Sequence, residues 1–375
     1  MSALIPENSK PLYVQLAEVF RRRIEGGELK PQDRLLPELE IANEFAVSRG
    51  TVRQALDQLV RDGLLERTQG KGTYVRNART ERATEVIGFV VPYLRDTLVN
   101  EILRGAERVF HESDYSMILG HSDSDLQTEV EQISRLLAGS AEGMILFPVA
   151  EADEQRRLSE VIPADFPTVL IDRRVPGLAT DRVLVDNFGG ARAAVEHLLE
   201  LGHDRIACVT TPDRPSSITD RIDGYEHAMQ EANLFPLAAV SLRGSGSPGS
   251  TGSVPAYTDE ELAPVEMLMN SSAAPSALFC VNDFVAIGVM SFLQRRGMRV
   301  PEDVALVGFD DIAVASLPSV SLTTVAQPKY EIGKQAAQRL LQLLQGQTVV
   351  DREIVLPTEL IVRRSTQADE SKRHH

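Results

Sequence analysis

Residues 48–59, SRGTVRQALDQL, form two distinct faces when they are wound as a helix. Four apolar residues have the i, i+3, i+4, i+7 spacing of a single helical stripe: Val52, Ala55, Leu56 and Leu59. Arg49 and Arg53 lie one turn apart and outside this stripe. Ser48 is a favoured N-cap residue, so it marks the start of the helix. The stretch therefore predicts a helix that packs its apolar face inward and exposes two arginines.

Two more helices are predicted before this one, and a hairpin after it. PLYVQLAEVFRRRIEGGEL (11–29) has a helical pattern that stops at Gly26-Gly27, and a short helix follows Pro37. The third helix ends near Asp62-Gly63. Two strand-like runs then surround a glycine-rich centre in LLERTQGKGTYVR (64–76), as in a hairpin.

Three helices followed by a hairpin make a winged helix-turn-helix, an α+β fold that binds DNA. Its second turn-motif helix lies in the major groove, with its first residues at the base edges. Arginine can donate two hydrogen bonds to guanine or bind phosphate, and a helix N-terminus suits phosphate. Arg49 and Arg53 could otherwise be solvated charges, but the order of cap, turn and hairpin favours a DNA surface. Seven residues are candidate DNA contacts: Ser48, Arg49, Thr51, Arg53, Gln69, Gly70 and Lys71.

The net charge of −15 does not oppose this prediction, because the charge is unevenly distributed. Residues 1–78 carry 12 basic and 11 acidic residues, whereas the remainder carries 27 basic and 43 acidic residues. Phosphate contacts are made by a local patch, so a nearly neutral N-terminal part is compatible with DNA binding.

The N-terminal part resembles the GntR family of bacterial transcription factors over about residues 10–76. The resemblance rests on LPELEIANEFAVSRGTVRQALDQLVRDGLLERTQGKGTYV (36–75), and it places the same seven residues at DNA-contacting positions. Two positions depart from the family pattern. Leu39 stands where an arginine is usual, which removes one expected contact. Gly50 stands where a polar residue is usual, which adds backbone freedom at a cost below about 1 kcal/mol.

From about residue 84 onward, β-branched apolar runs alternate with helical stretches, as in EVIGFVVP (85–92) and GGARAAVEHLLELG (189–202). This alternation predicts an α/β fold with parallel sheets covered on both faces. The length fits two sheets, hence two lobes, and ligands bind beyond the carboxyl ends of such strands. Polar residues gather there and could bind a ring of hydroxyls: Asp172, Arg221, Asn282, Asp283, Asp310, Asp311 and Gln327. Three aromatic residues could stack on a sugar: Tyr93, Phe188 and Phe284. For any single residue, a helix-cap role is an open alternative.

This second part resembles the effector domain of the LacI/GalR family, which is similar to periplasmic sugar-binding proteins, over about residues 85–365. Its markers include VDNFGGARAAVEHLLELGHDRIACV (185–209) and VALVGFDDI (304–312). The resemblance implies sugar contacts by Asp172, Arg221, Asn282, Asp310 and Gln327. A GntR-type head before a LacI-type body is the domain order of arabinose-responsive repressors. The family's usual hinge helix has no counterpart in 77–84.

The expected boundaries follow from these two resemblances. They are a DNA-binding domain at 1–77, a linker at 78–84, an effector-binding and dimerisation domain at 85–367 and a disordered tail at 368–375. We expect one lobe at about 85–184 plus 328–348 and the other at 185–325 plus 350–365.

Several other functions are disfavoured by the sequence. Cys208 and Cys280 lie in apolar strands and are expected to be buried thiols. The seven histidines lack metal-ligand spacing, and no cofactor is expected. GSGSPG (244–249) matches a dinucleotide motif but is followed by prolines rather than a helix, so it predicts a surface insertion. No membrane span or signal pattern is evident, so we expect a cytoplasmic protein.

The sequence thus predicts an allosteric repressor. It is expected to be a homodimer that binds a double-stranded DNA operator and is controlled by a small effector, which the resemblance implies to be a sugar. Release of DNA on effector binding is expected, and co-repression is the alternative. A transporter-type sugar-binding protein would leave residues 1–78 without a role. A sugar-converting enzyme would need catalytic carboxylates and turnover.

Overall fold

A computed structural model describes residues 11–30, 33–68, 72–75, 85–94, 97–149, 156–244, 257–347 and 350–367. The chain divides into two compact units, residues 1–84 and 85–375. The expected linker at 78–84, the hinge-helix comparison at 77–84, the surface insertion after Gly244 and the tail at 368–375 lie outside the described residues. No described helix is long and apolar enough to cross a membrane.

The N-terminal unit has the predicted winged helix-turn-helix architecture. Its described elements are α1 (Leu12–Glu25), α2 (Glu38–Phe45), α3 (Arg49–Arg61), β1 (Leu65–Thr68) and β2 (Gly72–Val75). The predicted stripe of α3 is fully buried against α1, α2 and the hairpin. β1 and β2 are antiparallel, and the Leu35 N–H donates to the Thr73 carbonyl, so the segment before α2 adds an isolated antiparallel bridge beside β2.

The C-terminal unit alternates strands and helices as predicted. Its first part contains β3 (Glu85–Val91), α4 (Thr97–Glu112), β4 (Tyr115–His121), α5 (Leu126–Ala138), β5 (Ala141–Leu146), α6 (Arg156–Val161), β6 (Thr168–Ile171) and β7 (Asp181–Val185). Its second part contains α7 (Asn187–Glu200), β8 (Ile206–Thr210), α8 (Ser216–Glu231), β9 (Val240–Ser241), α9 (Ala263–Met269), β10 (Ala277–Cys280), α10 (Asp283–Arg295), β11 (Ala305–Asp310) and β12 (Thr323–Ala326). α11 (Lys329–Leu344), β13 (Glu353–Leu356) and β14 (Glu359–Ile361) complete it.

These strands form two six-stranded sheets, one for each lobe. The first sheet has the order β13-β7-β6-β5-β3-β4 and is parallel throughout. The second has the order β14-β12-β11-β10-β8-β9, with only β14 antiparallel. Cys208 and Cys280 are buried free thiols within the second sheet, as expected.

Among the described residues, the chain passes between the lobes at three places, between β7 and α7, between β12 and α11, and between β13 and β14. The first and third of these crossings lie side by side, because the Asp186 N–H donates to Leu356 O and the Thr358 hydroxyl donates to Asp186 O. The expectation that 350–365 belongs wholly to the second lobe is wrong. β13 pairs with β7 in the first sheet, and only the residues after it, including β14, join the second lobe. The run is split because Leu356 continues the ladder beside Val185 before the chain crosses.

Helix α11 returns from the second lobe to cover the first sheet, and it packs against α4 at very short range. A Cβ atom on Gly333 would lie 1.8 Å from the Ile102 carbonyl oxygen, and one on Gly105 would lie 2.0 Å from the Tyr330 carbonyl oxygen. Only glycine permits these two backbones to approach so closely. The first lobe therefore depends on residues far apart in the chain.

Candidate functional site

The start of α3 presents the residues that the sequence predicts for DNA contact. Ser48 caps the helix, since its Oγ accepts a hydrogen bond from Thr51 N (3.1 Å) and lies 2.8 Å from Thr51 Oγ1. Arg49 is exposed and forms no ion pair with the described part of the chain. Gln69, Gly70 and Lys71 lie outside the described residues, so their placement at the wing tip stays a prediction.

Arg53 is also exposed, but it is held by a carboxylate that sequence reasoning missed. Its Nη2 lies 3.1 Å from Glu38 Oε2, and the hydrogen bond to Glu38 raises the pKa of Arg53. Arg67 on β1 shares this carboxylate at 3.7 Å and pairs with Asp57 at 2.6 Å. Glu38 thus links two arginines, one from the recognition helix and one from the hairpin. The sequence did offer a signal for Arg67, because this residue lies in the predicted strand that follows α3.

The two departures from the GntR pattern lie at the surface. Leu39 is 55% exposed on α2, one residue after Glu38. Gly50 has open space around it, because an added Cβ would meet nothing closer than Ser48 Oγ at 3.6 Å. Neither position is required by packing within the described residues.

In the C-terminal unit, Arg221 on α8 is the centre of a buried polar cluster at the carboxyl ends of the second sheet. Its Nε donates to Asn187 Oδ1 (2.8 Å) and its Nη1 donates to the Val281 carbonyl (2.7 Å). Nη1 also lies 3.2 Å from Asp310 Oδ1, and the guanidinium stacks 3.7 Å from the Phe309 ring centroid. These contacts fix the guanidinium in one orientation. Asn187 was missed by sequence reasoning, although it follows β7 at the first position of α7.

Asp310 and Gln327 complete this cluster. Gln327 Nε2 donates to Asp310 Oδ1 at 2.6 Å, while Gln327 Oε1 is buried and has no hydrogen-bond partner among the described residues. Burial raises the pKa of Asp310, Arg221 acts to lower it, and the charge of Asp172 adds to the rise. Asp310 has φ = 109° and Asp172 has φ = 66°, both sparsely populated conformations for non-glycine residues. Such backbone strain is typical of functional sites.

Asp172 belongs to a second group of residues, at the carboxyl ends of the first sheet. Its Oδ2 accepts a hydrogen bond from Arg173 Nε at 3.1 Å, and Arg173 Nη1 donates to the Pro148 carbonyl at 2.6 Å. The Arg173 guanidinium lies 5.0 Å from the Phe147 ring centroid, and Phe147 in turn packs against Tyr93. Tyr93 is thereby connected to Asp172 through two residues that sequence reasoning did not single out.

The first turn of α8 connects the two groups. Ser217 Oγ donates to Asp172 Oδ2 at 3.2 Å, which places Asp172 of the first lobe opposite the helix that carries Arg221. Asp172, Arg221, Asp310 and Gln327 therefore lie together between the lobes. This arrangement offers carboxylate, amide and guanidinium groups to one small polar molecule.

Three other predicted residues have contacts elsewhere. Asn282 is half-buried and caps α10, accepting a hydrogen bond from Val285 N at 2.9 Å. The Phe188 ring lies edge-on to the His227 imidazole, and Phe284 packs against the core of the second lobe. The ring contacts of Phe188 and Phe284 thus do not connect them to the Arg221 cluster, and effector contact by Asn282 and Phe188 remains a prediction.

Three further carboxyl groups, two buried and one partly buried, form contacts near the ends of the two sheets. Asp283 accepts hydrogen bonds from Thr324 Oγ1 and Ile312 N, and burial raises its pKa well above the ordinary value. Asp311 pairs with Arg363 at 2.7 Å. In the first lobe, Glu129 accepts a hydrogen bond from Val149 N, while its second oxygen is buried and meets no partner in the part of the chain that the structure describes. The described residues contain no cluster suited to a metal ion.

Comparison with known proteins agrees with both parts of this architecture. Residues 12–75 match the model of bacterial regulatory proteins of the gntR family, and residues 195–366 match a periplasmic binding protein-like domain. The chain is 33% identical to the arabinose metabolism transcriptional repressor of Geobacillus stearothermophilus, over 96% of this chain and 99% of that protein. It is 30% identical to the transcriptional repressor CytR of Escherichia coli, over 88% and 91%.

A solved structure gives the same result. The transcription regulator CcpA of Lactococcus lactis superimposes with a TM-score of 0.66 at 25% identity, covering 76% of this chain and all of that one. These relatives are named as repressors and regulators rather than enzymes. The chain belongs to the family of bacterial transcriptional repressors that join a GntR-type winged helix-turn-helix to a LacI-type, periplasmic-binding-protein-like domain.

Proposed function

We propose that this repressor binds a neutral, polyhydroxylated effector, a sugar, between its two lobes, and that binding changes its affinity for a DNA operator. The observation that carries this proposal is the convergence of Asp172, Arg221, Asp310 and Gln327 from both lobes. Strain at Asp172 and Asp310, and the unpaired Gln327 oxygen, support a ligand-binding role. We expect the sugar to release DNA.

The hydrogen-bonding capacity of the cleft favours a neutral ligand. Asp172 Oδ1, Asp310 Oδ2 and Gln327 Oε1 receive no hydrogen bond from any described residue. Arg173 and Arg221 are each matched by a carboxylate within 3.2 Å. Hydroxyl groups both donate and accept, so a sugar can satisfy these oxygens. A phosphate ester would bring negative charge close to two carboxylates.

For DNA, we propose contacts by Ser48, Arg49, Thr51 and Arg53 on α3, with the wing residues Gln69, Gly70 and Lys71. A homodimer would bind two half-sites about one helical turn, roughly 34 Å, apart or a multiple of that distance. Support for a dimer comes from β4, an edge strand of the first sheet that exposes Ile118 and Leu119. Exposed apolar edge strands are prone to pair with another chain.

A matched-pair ligand screen tests the effector. L-arabinose, D-xylose and D-ribose are compared with D-ribose 5-phosphate and L-arabinose 5-phosphate by thermal shift, since a true ligand raises the melting temperature by mass action. We expect a neutral sugar to stabilise the protein and its phosphate to have little effect. Tighter binding of a phosphate would contradict the neutral class, and no response to any sugar would contradict the effector.

Asp172→Asn then tests the site. Arg221 is less suitable, because it also holds Asn187 and the Val281 carbonyl. We expect Asp172→Asn to lose the thermal shift while it still binds operator fragments, selected with the wild-type protein, in fluorescence anisotropy. Undiminished sugar affinity of this variant in calorimetry would remove Asp172 from the site.

A further inference from the structure

Arg174 connects the two lobes outside the cluster that faces the proposed effector. It follows β6 in the first lobe, and two of its contacts reach α8 in the second lobe. Its backbone N–H donates to Ser216 Oγ at 2.8 Å, and its Nη1 donates to Asp220 Oδ2 at 2.8 Å. A separate link between the lobes is longer, from Ala313 N to Thr97 Oγ1 at 3.2 Å. Within the described part of the chain, Arg174 and Asp220 thus form an ion pair that joins the lobes.

Within the first lobe, Arg174 is bonded to β13 and, through a shared carboxylate, to β7. Each of these strands leads into a crossing between the lobes. Its Nε and Nη2 each lie 3.4 Å from an oxygen of Glu353, which begins β13. Arg182 on β7 donates to the same carboxylate. Burial acts to raise the pKa of Glu353, but hydrogen bonds from Arg182 and Arg174 leave it lowered. Glu353 is thus held as a charged partner for Arg174.

The same helical turn of α8 carries this link and a candidate effector contact. Asp220 pairs with Arg174, and the next residue, Arg221, pairs with Asp310 inside the cleft. A movement that separates Asp220 from Arg174 would also displace Arg221 relative to Asp172. All of these contacts are made by the chain's own residues, so they need no bound molecule.

We propose that Ser216, Asp220, Arg174 and Glu353 form an interlobe clasp that sets the equilibrium between open and closed lobes before any effector binds. This inference concerns the regulation of the proposed site and rests on the proposed function. A clasp that favours closure lowers the free energy that the effector must supply, because a ligand shifts such an equilibrium only by its differential affinity for the two states. It also limits how far the effector can change operator affinity.

The size of the effect follows from the exposure of the pair. The Arg174 and Asp220 side chains are 40% and 31% exposed, so solvent weakens their attraction. Pairs of this kind contribute about 0.2–1 kcal/mol, so loss of the pair should raise the open-to-closed ratio by up to about 5-fold. Salt screens exposed charges, so a rise from about 0.05 to 0.5 M should have a similar effect in the wild-type protein.

The test measures the distance between the lobes in the full-length chain. Fluorophores are attached at Glu131→Cys on α5 and Phe235→Cys after α8, both exposed positions, while the native Cys208 and Cys280 are buried. Single-molecule energy transfer is recorded without sugar or DNA, and excess unlabelled chain prevents transfer between subunits. Arg174→Ala and Asp220→Ala are compared with Arg192→Ala. Arg192 has a similar side-chain exposure of 42%, and its ion pairs with Glu196 and Glu231 lie inside the second lobe.

We expect Arg174→Ala and Asp220→Ala to shift and broaden the distribution of energy-transfer efficiency to the same extent. The double variant should change this distribution little more than Asp220→Ala alone does. Arg192→Ala should match wild type. Unchanged distributions in both clasp variants, or an equal change in Arg192→Ala, would overturn the clasp. Operator affinity without sugar is the second readout and should change up to about 5-fold in the clasp variants only. If the wild-type protein binds no DNA, the proposed function fails, while the distance measurement still decides the clasp.

Discussion

Arg53 combines two properties at the scale of a single residue, because its side chain is exposed to solvent and held in place by Glu38. If it reads a base, Arg53→Ala should weaken operator binding by about 1–3 kcal/mol, the usual value of a bidentate arginine contact. Fluorescence anisotropy with selected operator fragments measures this change. Arg61→Ala is the control, since Arg61 is an exposed arginine in the last turn of the same helix. Equal losses in the two variants would mean that Arg53 contributes only general charge.

Glu129 should make the stability of the protein depend on pH, and this dependence can be measured without a ligand. Burial raises its pKa to about 7, against the hydrogen bond from Val149 N and the charge of Arg173. A carboxyl whose folded-state pKa is raised contributes stability below its unfolded pKa, near 4.5, and loses it as pH rises through about 7.

Glu129→Gln removes this dependence. Relative to wild type, its free energy of unfolding should rise by up to about 3 kcal/mol between pH 4.5 and 8, most steeply between 5 and 7. Urea unfolding at several pH values measures the difference. A constant difference across this range would show that the buried carboxyl does not titrate there.

Some residues of the candidate sites could be predicted from the sequence, and others could not. Asp172, Arg221, Asp310 and Gln327 were predicted because polar residues beyond parallel strands converge at one edge. Arg173 and Glu38 were not predicted. An arginine that follows an aspartate is commonly a solvated surface residue, and so is a glutamate in the first turn of a helix. Their partners, Pro148 and Arg53, lie 25 and 15 residues away, and only the fold brings them together.

At the scale of elements, replacing either of two glycines with alanine should change the stability of the protein, in opposite directions. Gly333→Ala should destabilise the first lobe by about 1–3 kcal/mol or more, because the new Cβ would clash with the Ile102 carbonyl of α4. Gly50→Ala should stabilise α3 by up to about 1 kcal/mol, because its surroundings are open and alanine favours helix. Thermal unfolding, with hydrogen exchange to assign each change to its unit, measures both. Stabilisation by Gly333→Ala would contradict the α4–α11 packing.

The long elements were predicted well, whereas the short strands β13 and β14 were not predicted. α1, α3 and α7 show their helical period over three or more turns, and β3 is a continuous apolar run, so the local pattern was enough. β13 and β14 are 4 and 3 residues long and only partly buried, so no local pattern marks them. Their assignment to different sheets depends on ladders with β7 and β12, which are formed by residues distant in sequence.

At the scale of the whole molecule, the proposed dimer predicts a linked loss of assembly and DNA binding. Ile118 is 50% exposed on the edge strand β4. Ile118→Asp should place a charge in the interface, convert the dimer to a monomer in sedimentation experiments and weaken operator binding. Phe235→Asp is the control, because Phe235 is 95% exposed and distant from β4 in the chain. A dimer that persists in Ile118→Asp would exclude this edge as the interface.

The threefold passage of the chain between the lobes has a consequence for biosynthesis. The first lobe needs α11 to cover its sheet and β13 to extend it, so its core is incomplete until about residue 356 has left the ribosome. The described core of the N-terminal unit is built from residues between Leu16 and Val75, so it can form while translation continues. A nascent chain therefore gains a finished DNA-binding head long before it gains a working sensor. Premature termination inside α11 would release a head that no effector could control.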